Sequence, residues 1–150
     1  MPTPPDWDAL RDECVAHLQA LLRLDTTNPP GNESIAADHL AGVLRAAGIA
    51  AEIVEAVPGR GTLVARLPAA APTGRPLMLT GHVDVVSVER DKWTRDPFGG
   101  ELVDGYVWGR GALDMKGQVA ASAVARTAVG AGRAMRPPPS TTSPSSRTHA

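Results

Sequence analysis

Apolar residues recur at helical spacing over the first third of the chain. One face of a helix predicted over residues 6–24 is apolar and consists of Trp7, Leu10, Cys14, Leu18 and Leu21. Asp6 is a suitable N-cap, and residues 25–31 must end this helix because they contain two prolines and a glycine. A second apolar face consists of Ala36, Leu40, Val43, Leu44 and Ala47. It predicts another helix, with Gly48 as its C-cap.

The spacing of apolar residues then changes to that of strands. Residues 49–57 alternate loosely and predict a strand, and residues 61–67 predict another. Residues 76–81 form a short, nearly continuous apolar run, which is typical of a strand buried on both faces of an α/β sheet. Short strands punctuated by glycine are predicted within residues 99–108, and an Ala/Val-rich buried helix over residues 115–129. These elements together predict an α/β sandwich.

The last stretch of the chain has a different composition. Residues 133–150 contain four prolines and almost no apolar residues. Such a segment cannot bury enough surface to offset the entropy of ordering it, so we expect a disordered tail. The predicted organisation is one folded part over residues 1–130 and a tail over residues 131–150.

Composition excludes several classes of protein. A hydrophobic fraction of 43%, a charged fraction of 21% and a net charge of −1 indicate a globular chain whose main partner is neither nucleic acid nor a membrane. The N-terminal residues do not resemble a secretory signal, and the lone Cys14 forms no internal disulfide, so we expect a cytoplasmic protein. Because the chain has no Cys-x-x-Cys, any metal must be bound by histidine and carboxylates.

A histidine and an aspartate directly follow the apolar run at residues 76–81. His82 and Asp84 are two positions apart, so on an extended chain their side chains point to the same side. A histidine there can bind a metal through one ring nitrogen while the carboxylate holds the other. The alternative is a structural histidine paired with an aspartate in a loop, and the His-x-Asp pattern alone favours that alternative.

A second polar cluster lies in the glycine-rich segment 109–117. Asp114 precedes the predicted Ala-rich helix, where it could serve as an ordinary N-cap or as a functional carboxylate. The segment is not a P-loop, since no Gly-x-x-x-x-Gly directly precedes Lys116 and no serine or threonine comes directly after it. It is not a dinucleotide fingerprint, since Asp114 occupies the place of the third glycine.

The remaining reactive side chains have simpler interpretations. Cys14 lies on the apolar face of the first helix and no Gly-x-Ser-x-Gly occurs, so nucleophilic catalysis has little support. His17 and His39 are interpreted as residues at helix surfaces or boundaries. Trp93 and Trp108 are interpreted as packing residues around the loops of the site.

The order of four motifs resembles the M20 metallopeptidase family, which includes aminoacylases, acetylornithine deacetylases, succinyl-diaminopimelate desuccinylases and glutamate-releasing carboxypeptidases. The motifs are Asp25-Thr-Thr-Asn-Pro-Pro-Gly31, Leu79-Thr-Gly-His-Val-Asp84, Trp93-x-x-Asp-Pro-Phe98 and Gly105-Tyr-Val-Trp-Gly-Arg-Gly-Ala-Leu-Asp-Met-Lys-Gly117. The resemblance covers roughly residues 7 to 129. It implies the N-terminal part of a zinc-exopeptidase-like mixed sheet flanked by helices.

The resemblance also implies a site and a reaction. His82 matches a ligand of one zinc, Asp114 matches the carboxylate that bridges two zincs, and Asp84 matches a catalytic residue that orients His82. A complete site holds two zinc ions, with cobalt as a possible substitute, and activates a water that attacks an amide bond of a peptide or N-acyl amino acid. A glutamate acts as general base and then acid. Complete family members are homodimers, a property we do not expect this chain to preserve.

The family's glutamate pair has no counterpart in this sequence. Thr148 and His149 stand where it is expected, and no carboxylate follows Asp114. The chain therefore supplies two of the family's metal-binding side chains, whereas zinc prefers three or four protein ligands. We expect this chain alone to be inactive, its tail having arisen by frameshift or truncation near residues 126 to 133. The alternative is a non-catalytic gene product or a remnant retained for binding.

Overall fold

The computed structural model describes residues 5–69, 71 and 74–130, so the tail predicted over residues 131–150 lies outside the described residues. The helices are α1 (Trp7–Leu22), α2 (Glu33–Ala46) and α3 (Gly117–Gly130), with a 3₁₀ turn at Arg90–Lys92 and a π-helical turn at Ala112–Lys116. The strands are β1 (Ala51–Glu55), β2 (Gly61–Ala65), β3 (Glu101–Val103) and β4 (Tyr106–Trp108). The predicted α/β class is confirmed.

The ends of the first two helices follow the sequence signals. The Asp6 side chain accepts a hydrogen bond from the Ala9 amide at 3.0 Å and begins α1, as predicted. At the end of α2, the Gly48 amide donates to the carbonyl of Arg45 and the Ile49 amide donates to that of Leu44. This is the pattern of a Schellman motif, and the φ of +75° at Gly48 explains why glycine stands there.

The core lies where the three helices meet. α3 packs against α1 and α2, and its small alanines allow the helices to approach closely. One buried cluster contains Leu21, Ala36, Leu40, Ala120 and Ala123. A second contains Leu10, Val124 and Ala128. Cys14 packs against both clusters, in agreement with its predicted place on the apolar face of α1.

The strands form two separate antiparallel hairpins among the described residues. β1 pairs with β2, with Ala51 opposite Ala65, and this hairpin packs on α2. β3 pairs with β4 through a turn in which Asp104 and Gly105 both have positive φ, at 52° and 81°. Two consecutive positive φ values are the mark of a tight turn whose twist matches antiparallel strands. The four predicted strands at 49–57, 61–67 and within 99–108 are confirmed.

The strand predicted at residues 76–81 is wrong. This segment has no strand assignment, and Leu77 and Met78 are 77% and 82% exposed. A strand buried on both faces needs hydrogen-bonded neighbours on either side, and within the part of the chain that the structure describes no strand lies beside it. None of the helices among residues 5–69, 71 and 74–130 has the length and apolar character needed to cross a membrane.

Candidate functional site

The His82 ring lies between two carboxylates. Its Nδ1 is 3.0 Å from Oδ1 of Asp84, and its Nε2 is 3.1 Å from Oδ1 of Asp114. The His82 side chain is 48% exposed and that of Asp114 is 85% exposed, so the cluster opens to solvent. The structure therefore brings together the three site residues predicted from sequence.

The Asp84 carboxylate is held from both sides. Its Oδ1 faces His82, while its Oδ2 accepts a hydrogen bond from the Asn28 side-chain amide at 3.0 Å. Sequence reasoning did not assign a role to Asn28 individually. Its membership of the motif at residues 25–31 was the available signal, but that motif was interpreted mainly as the end of a helix.

Backbone pairing fixes the segment that carries His82 and Asp84. The Thr26 hydroxyl donates to the carbonyl of Val83 at 2.5 Å, and the Val85 amide donates to the carbonyl of Thr26 at 3.1 Å. The Asn28 amide donates to the carbonyl of Val85 at 2.8 Å, which gives a parallel bridge between Thr27 and Val85. The chain that follows α1 thus runs beside the site segment and holds it in register.

The loop that carries Asp114 is held by a buried lysine. Lys116 is fully buried, and its Nζ donates to the carbonyls of Leu21 at 2.9 Å and Leu24 at 2.8 Å, at the end of α1. Asp114 itself has non-helical dihedrals and lies three residues before Gly117, the first residue of α3. It is therefore not at the N-cap position, and the N-cap interpretation of Asp114 is wrong: its carboxylate pairs with His82 instead.

The contacts within the cluster shift its acid–base equilibria. Partial burial lowers the pKa of His82, but the hydrogen bonds and charges of Asp114 and Asp84 outweigh that effect and leave the pKa raised. The hydrogen bond from Asn28 is the main factor that lowers the pKa of Asp84, with a further contribution from His82. Burial lowers the pKa of Lys116 to about 8.

The donor atoms fit part of a metal site. Two ligands bound to one tetrahedral zinc at about 2.0–2.1 Å lie roughly 3.3 Å apart. The 3.1 Å between Nε2 of His82 and Oδ1 of Asp114 is close to that separation. Among residues 5–69, 71 and 74–130, no group of three or more His, Cys, Asp or Glu side chains is arranged to hold a metal ion. His82 and Asp114 thus place two donor atoms at the spacing of zinc ligands, and the Asp84 carboxylate lies beside the histidine ring.

The other histidines form a separate contact. The rings of His17 on α1 and His39 on α2 lie 5.7 Å apart, edge to face. Burial is the main factor that lowers the pKa of His39, followed by the nearby His17. This contact between helices agrees with the prediction that both are residues of helix surfaces or boundaries.

The two tryptophans predicted to pack around the site loops each lie beneath an arginine. The Arg110 guanidinium is 5.2 Å from the centre of the Trp93 ring, and that of Arg95 is 5.5 Å from Trp108. Burial is the main factor that raises the pKa of Cys14, which disfavours its thiolate.

A family model and many curated proteins match this sequence. Residues 78–133 match the model of peptidase family M20/M25/M40. The chain is 43% identical over 124 residues to a succinyl-diaminopimelate desuccinylase of Methylocella silvestris, a match that covers 79% of this chain and 31% of that protein. It is 40% identical over 103 residues to aminoacylase-1 of Sus scrofa, which covers 68% of this chain and 25% of that protein.

One shorter match has a higher identity. Over 42 residues the chain is 67% identical to a succinyl-diaminopimelate desuccinylase of Cereibacter sphaeroides, a match that covers 27% of this chain and 11% of that protein. The chain therefore spans less than a third of the length of these curated relatives.

Proposed function

Because this chain belongs, through residues 78–133, to peptidase family M20/M25/M40, we propose that it carries part of a two-zinc centre that hydrolyses an amide bond. The observation that carries this proposal is the His82 ring bracketed by the carboxylates of Asp84 and Asp114 at 3.0 and 3.1 Å. Bound zinc, or cobalt in its place, supplies a water of lowered pKa and polarises the scissile carbonyl.

In this proposal His82 binds metal through Nε2. The Asp84 carboxylate accepts a hydrogen bond from Nδ1–H at 3.0 Å, which favours the neutral tautomer whose Nε2 lone pair can bind a metal. The same contact makes the ring a stronger base and hence a stronger ligand. Asp84 acts here by orienting His82.

Asp114 supplies a carboxylate that can serve two ions. One of its oxygens faces Nε2 of His82, and the side chain is 85% exposed, so its second oxygen is accessible to a neighbouring ion. Lys116 anchors the loop that carries Asp114, because its Nζ donates to two main-chain carbonyls at the end of α1. This anchoring holds the Asp114 carboxylate beside the histidine ring.

We further propose that the 150-residue chain alone does not turn over substrate. No carboxylate follows Asp114 in the sequence, so the general base expected from the family resemblance has no counterpart there. Two protein ligands bind zinc more weakly than the usual three or four. Homodimer formation belongs to complete family members, and we do not expect it of this chain.

The substrate class follows from the relatives. Aminoacylase and succinyl-diaminopimelate desuccinylase are names of enzymes that remove an acyl group from an amino acid nitrogen. We propose that the complete centre acts on an N-acyl amino acid or a small peptide. We also propose that it does so in the reducing cytoplasm, where a lone Cys14 remains unpaired.

A binding-only remnant is the second candidate. Among the described residues, no carboxylate or histidine joins the cluster beyond His82, Asp84 and Asp114, which favours a chain that takes up metal without catalysis. Zinc bound in a one-to-one ratio by a chain that releases no amine would support this reading, whereas zinc-dependent release of amine by the chain alone would contradict it, together with the proposed inactivity of the chain alone.

A hybrid protein tests the proposed function. Residues 1–130 of this chain replace the matching segment of the Methylocella silvestris desuccinylase, and release of succinate from N-succinyl-diaminopimelate is measured with and without a chelator. We expect chelator-sensitive hydrolysis by the hybrid and none by its His82→Ala or Asp114→Ala variants. A folded hybrid that is inactive, or one that keeps its activity after His82→Ala, contradicts the proposal.

A further inference from the structure

Asn28 is the residue that holds the side of Asp84 facing away from His82. Its side-chain nitrogen lies 3.0 Å from Oδ2 of Asp84, while Oδ1 of the same carboxylate lies 3.0 Å from Nδ1 of His82. Because a carboxylate can only accept hydrogen bonds, the NH₂ group of Asn28 faces it rather than the side-chain carbonyl oxygen. The three side chains form one chain of contacts, from amide to carboxylate to imidazole.

The backbone sets the position of the Asn28 amide. The Asn28 main-chain N–H donates to the carbonyl of Val85 at 2.8 Å, one residue beyond Asp84. On the preceding side, Thr26 is fully buried and bonds to Val83 and Val85. Asn28 and Asp84 therefore belong to two paired stretches of chain in fixed register. The backbone pairing itself brings their side chains within hydrogen-bond distance.

A carboxylate held at one oxygen only can rotate about its Cβ–Cγ bond. Asp84 is held at both oxygens, and the rotation that would move Oδ1 away from His82 would also break the bond to Asn28. We propose that Asn28 is a positioning residue: it locks the Asp84 carboxylate so that His82 keeps its proton on Nδ1 and presents Nε2 as a ligand. The last step, use of Nε2 by a metal, rests on the proposed function.

The experiment measures the tautomer of His82 in the full 150-residue chain. The chain is labelled with ¹⁵N in histidine, and the two ring nitrogens are observed by NMR at a pH where the ring is neutral, with His82→Gln used to assign the signals. For this measurement every protein carries Asp114→Ala, because Oδ1 of Asp114 lies 3.1 Å from Nε2 of His82 and would compete for the ring proton. Neither metal nor substrate is present. A histidine in a short unstructured peptide gives the reference mixture of tautomers.

The variants are Asn28→Ala, which removes the donor, and Asn28→Asp, which replaces it by a like-charged group of the same shape. The matched control is Asn32→Ala, a change of the same type four residues along, at an exposed N-cap residue whose side chain makes no capping hydrogen bond. We expect His82 to be Nδ1-protonated in the Asp114→Ala parent and in the control, and to shift toward the reference mixture in both Asn28 variants. The shift is partial, because the main-chain carbonyl of Asp84 also lies 3.2 Å from Nδ1.

A second readout connects the tautomer to metal affinity. Loss of the group that orients a metal-binding histidine commonly weakens binding by about 10- to 100-fold. We expect the zinc dissociation constant of Asn28→Ala to rise by about tenfold or more over that of Asn32→Ala. If the wild-type chain binds no zinc at all, the proposed function fails, while the tautomer result still decides the role of Asn28.

An unchanged His82 tautomer in both folded Asn28 variants would overturn the inference. Should Asn28→Ala and Asn28→Asp not fold, as judged by circular dichroism, the wild-type chain decides instead. Its Asn28 side-chain amide protons should be shifted downfield, and Asp84→Ala should return them to ordinary values. Amide protons that are unshifted in the wild type would contradict the inference equally.

Discussion

A Cβ atom placed on Gly111 would lie 2.6 Å from Cγ1 of Val85, closer than side-chain atoms normally approach. Gly111 also has a φ of +87°, a conformation that L side chains rarely adopt. The two residues join the two halves of the candidate site, because Val85 follows Asp84 and Gly111 begins the loop that carries Asp114. The absence of a side chain at position 111 allows these halves to meet.

Substitution of Gly111 should therefore damage the site more than strain alone predicts. Gly105→Ala is the control, because Gly105 has a similar φ of +81° but nothing within 4 Å of its added Cβ. We expect Gly105→Ala to lower the free energy of unfolding by about 1–2 kcal/mol, and Gly111→Ala to lower it further and weaken zinc binding. Urea unfolding and zinc titration measure both effects, and equal losses in the two variants contradict the contact with Val85.

Leu21 should be among the most sensitive positions of the fold. Its side chain is fully buried where the three helices meet, so Leu21→Ala should lower the free energy of unfolding by about 2–5 kcal/mol. Leu113→Ala is the control, since Leu113 is 95% exposed and should change stability by less than about 0.5 kcal/mol. Urea unfolding of both variants tests the described core, and similar losses would place the core elsewhere.

The stability of the metal-free chain should rise between about pH 8 and 10 because of Lys116. Burial lowers the pKa of Lys116 to about 8 in the folded chain, whereas the unfolded chain keeps the ordinary value of 10.5. In this window the unfolded state binds more protons, and stability therefore increases with pH. The raised pKa of Cys14 acts in the opposite direction above about pH 9, so the effect of Lys116 must be isolated by comparing variants that all retain Cys14.

Lys116→Met should remove this contribution, while Lys92→Met should keep it, because Lys92 is exposed. The measurement is the free energy of unfolding at several pH values from 7.5 to 10 in each variant. A pH dependence that is identical in the two variants would show that Lys116 does not titrate in this window.

The His82 ring should titrate above the ordinary value in the metal-free chain. Because its pKa is raised, its contribution to stability is complete below about pH 6.5 and is lost as the pH rises through the folded-state pKa. Asp114→Asn removes a charge and weakens a hydrogen bond that raise this pKa, so the midpoint in an NMR titration should fall. Asp8→Asn, on a residue paired with Arg11 in α1, should leave it unchanged. A midpoint that does not move in Asp114→Asn contradicts the contact.

Local sequence signals predicted the helices and hairpins well. The N-cap at Asp6, the glycine after α2 and the alternation in β1 and β2 each depend on residues close in sequence, and each is confirmed. The strand at residues 76–81 failed for the opposite reason. Its apolar composition indicates that neighbouring elements should bury it. Composition cannot show whether such neighbours are present.

The candidate site divides in the same way. His82 and Asp84 could be paired from their spacing, but Asp114 is 32 positions from His82, so its approach depends on how the intervening chain folds. Asn28 and Lys116 were out of reach of local patterns, because Asn28 acts on a residue 56 positions away and Lys116 on carbonyls 92 and 95 positions away. Asn28 belongs to a motif that was interpreted as the end of a helix. Lys116 was considered only as a possible phosphate-binding lysine.

Zinc binding by the 150-residue chain tests the central claim most directly. The dissociation constant is measured by equilibrium dialysis for the wild type, His82→Ala, Asp114→Ala and His17→Ala, the last being a histidine whose described contact is with His39. We predict weak binding of zinc that is retained in His17→Ala and weakened at least about tenfold in both site variants. Binding by His82→Ala that equals that of the wild type would contradict the assignment of His82 and Asp114 as metal ligands.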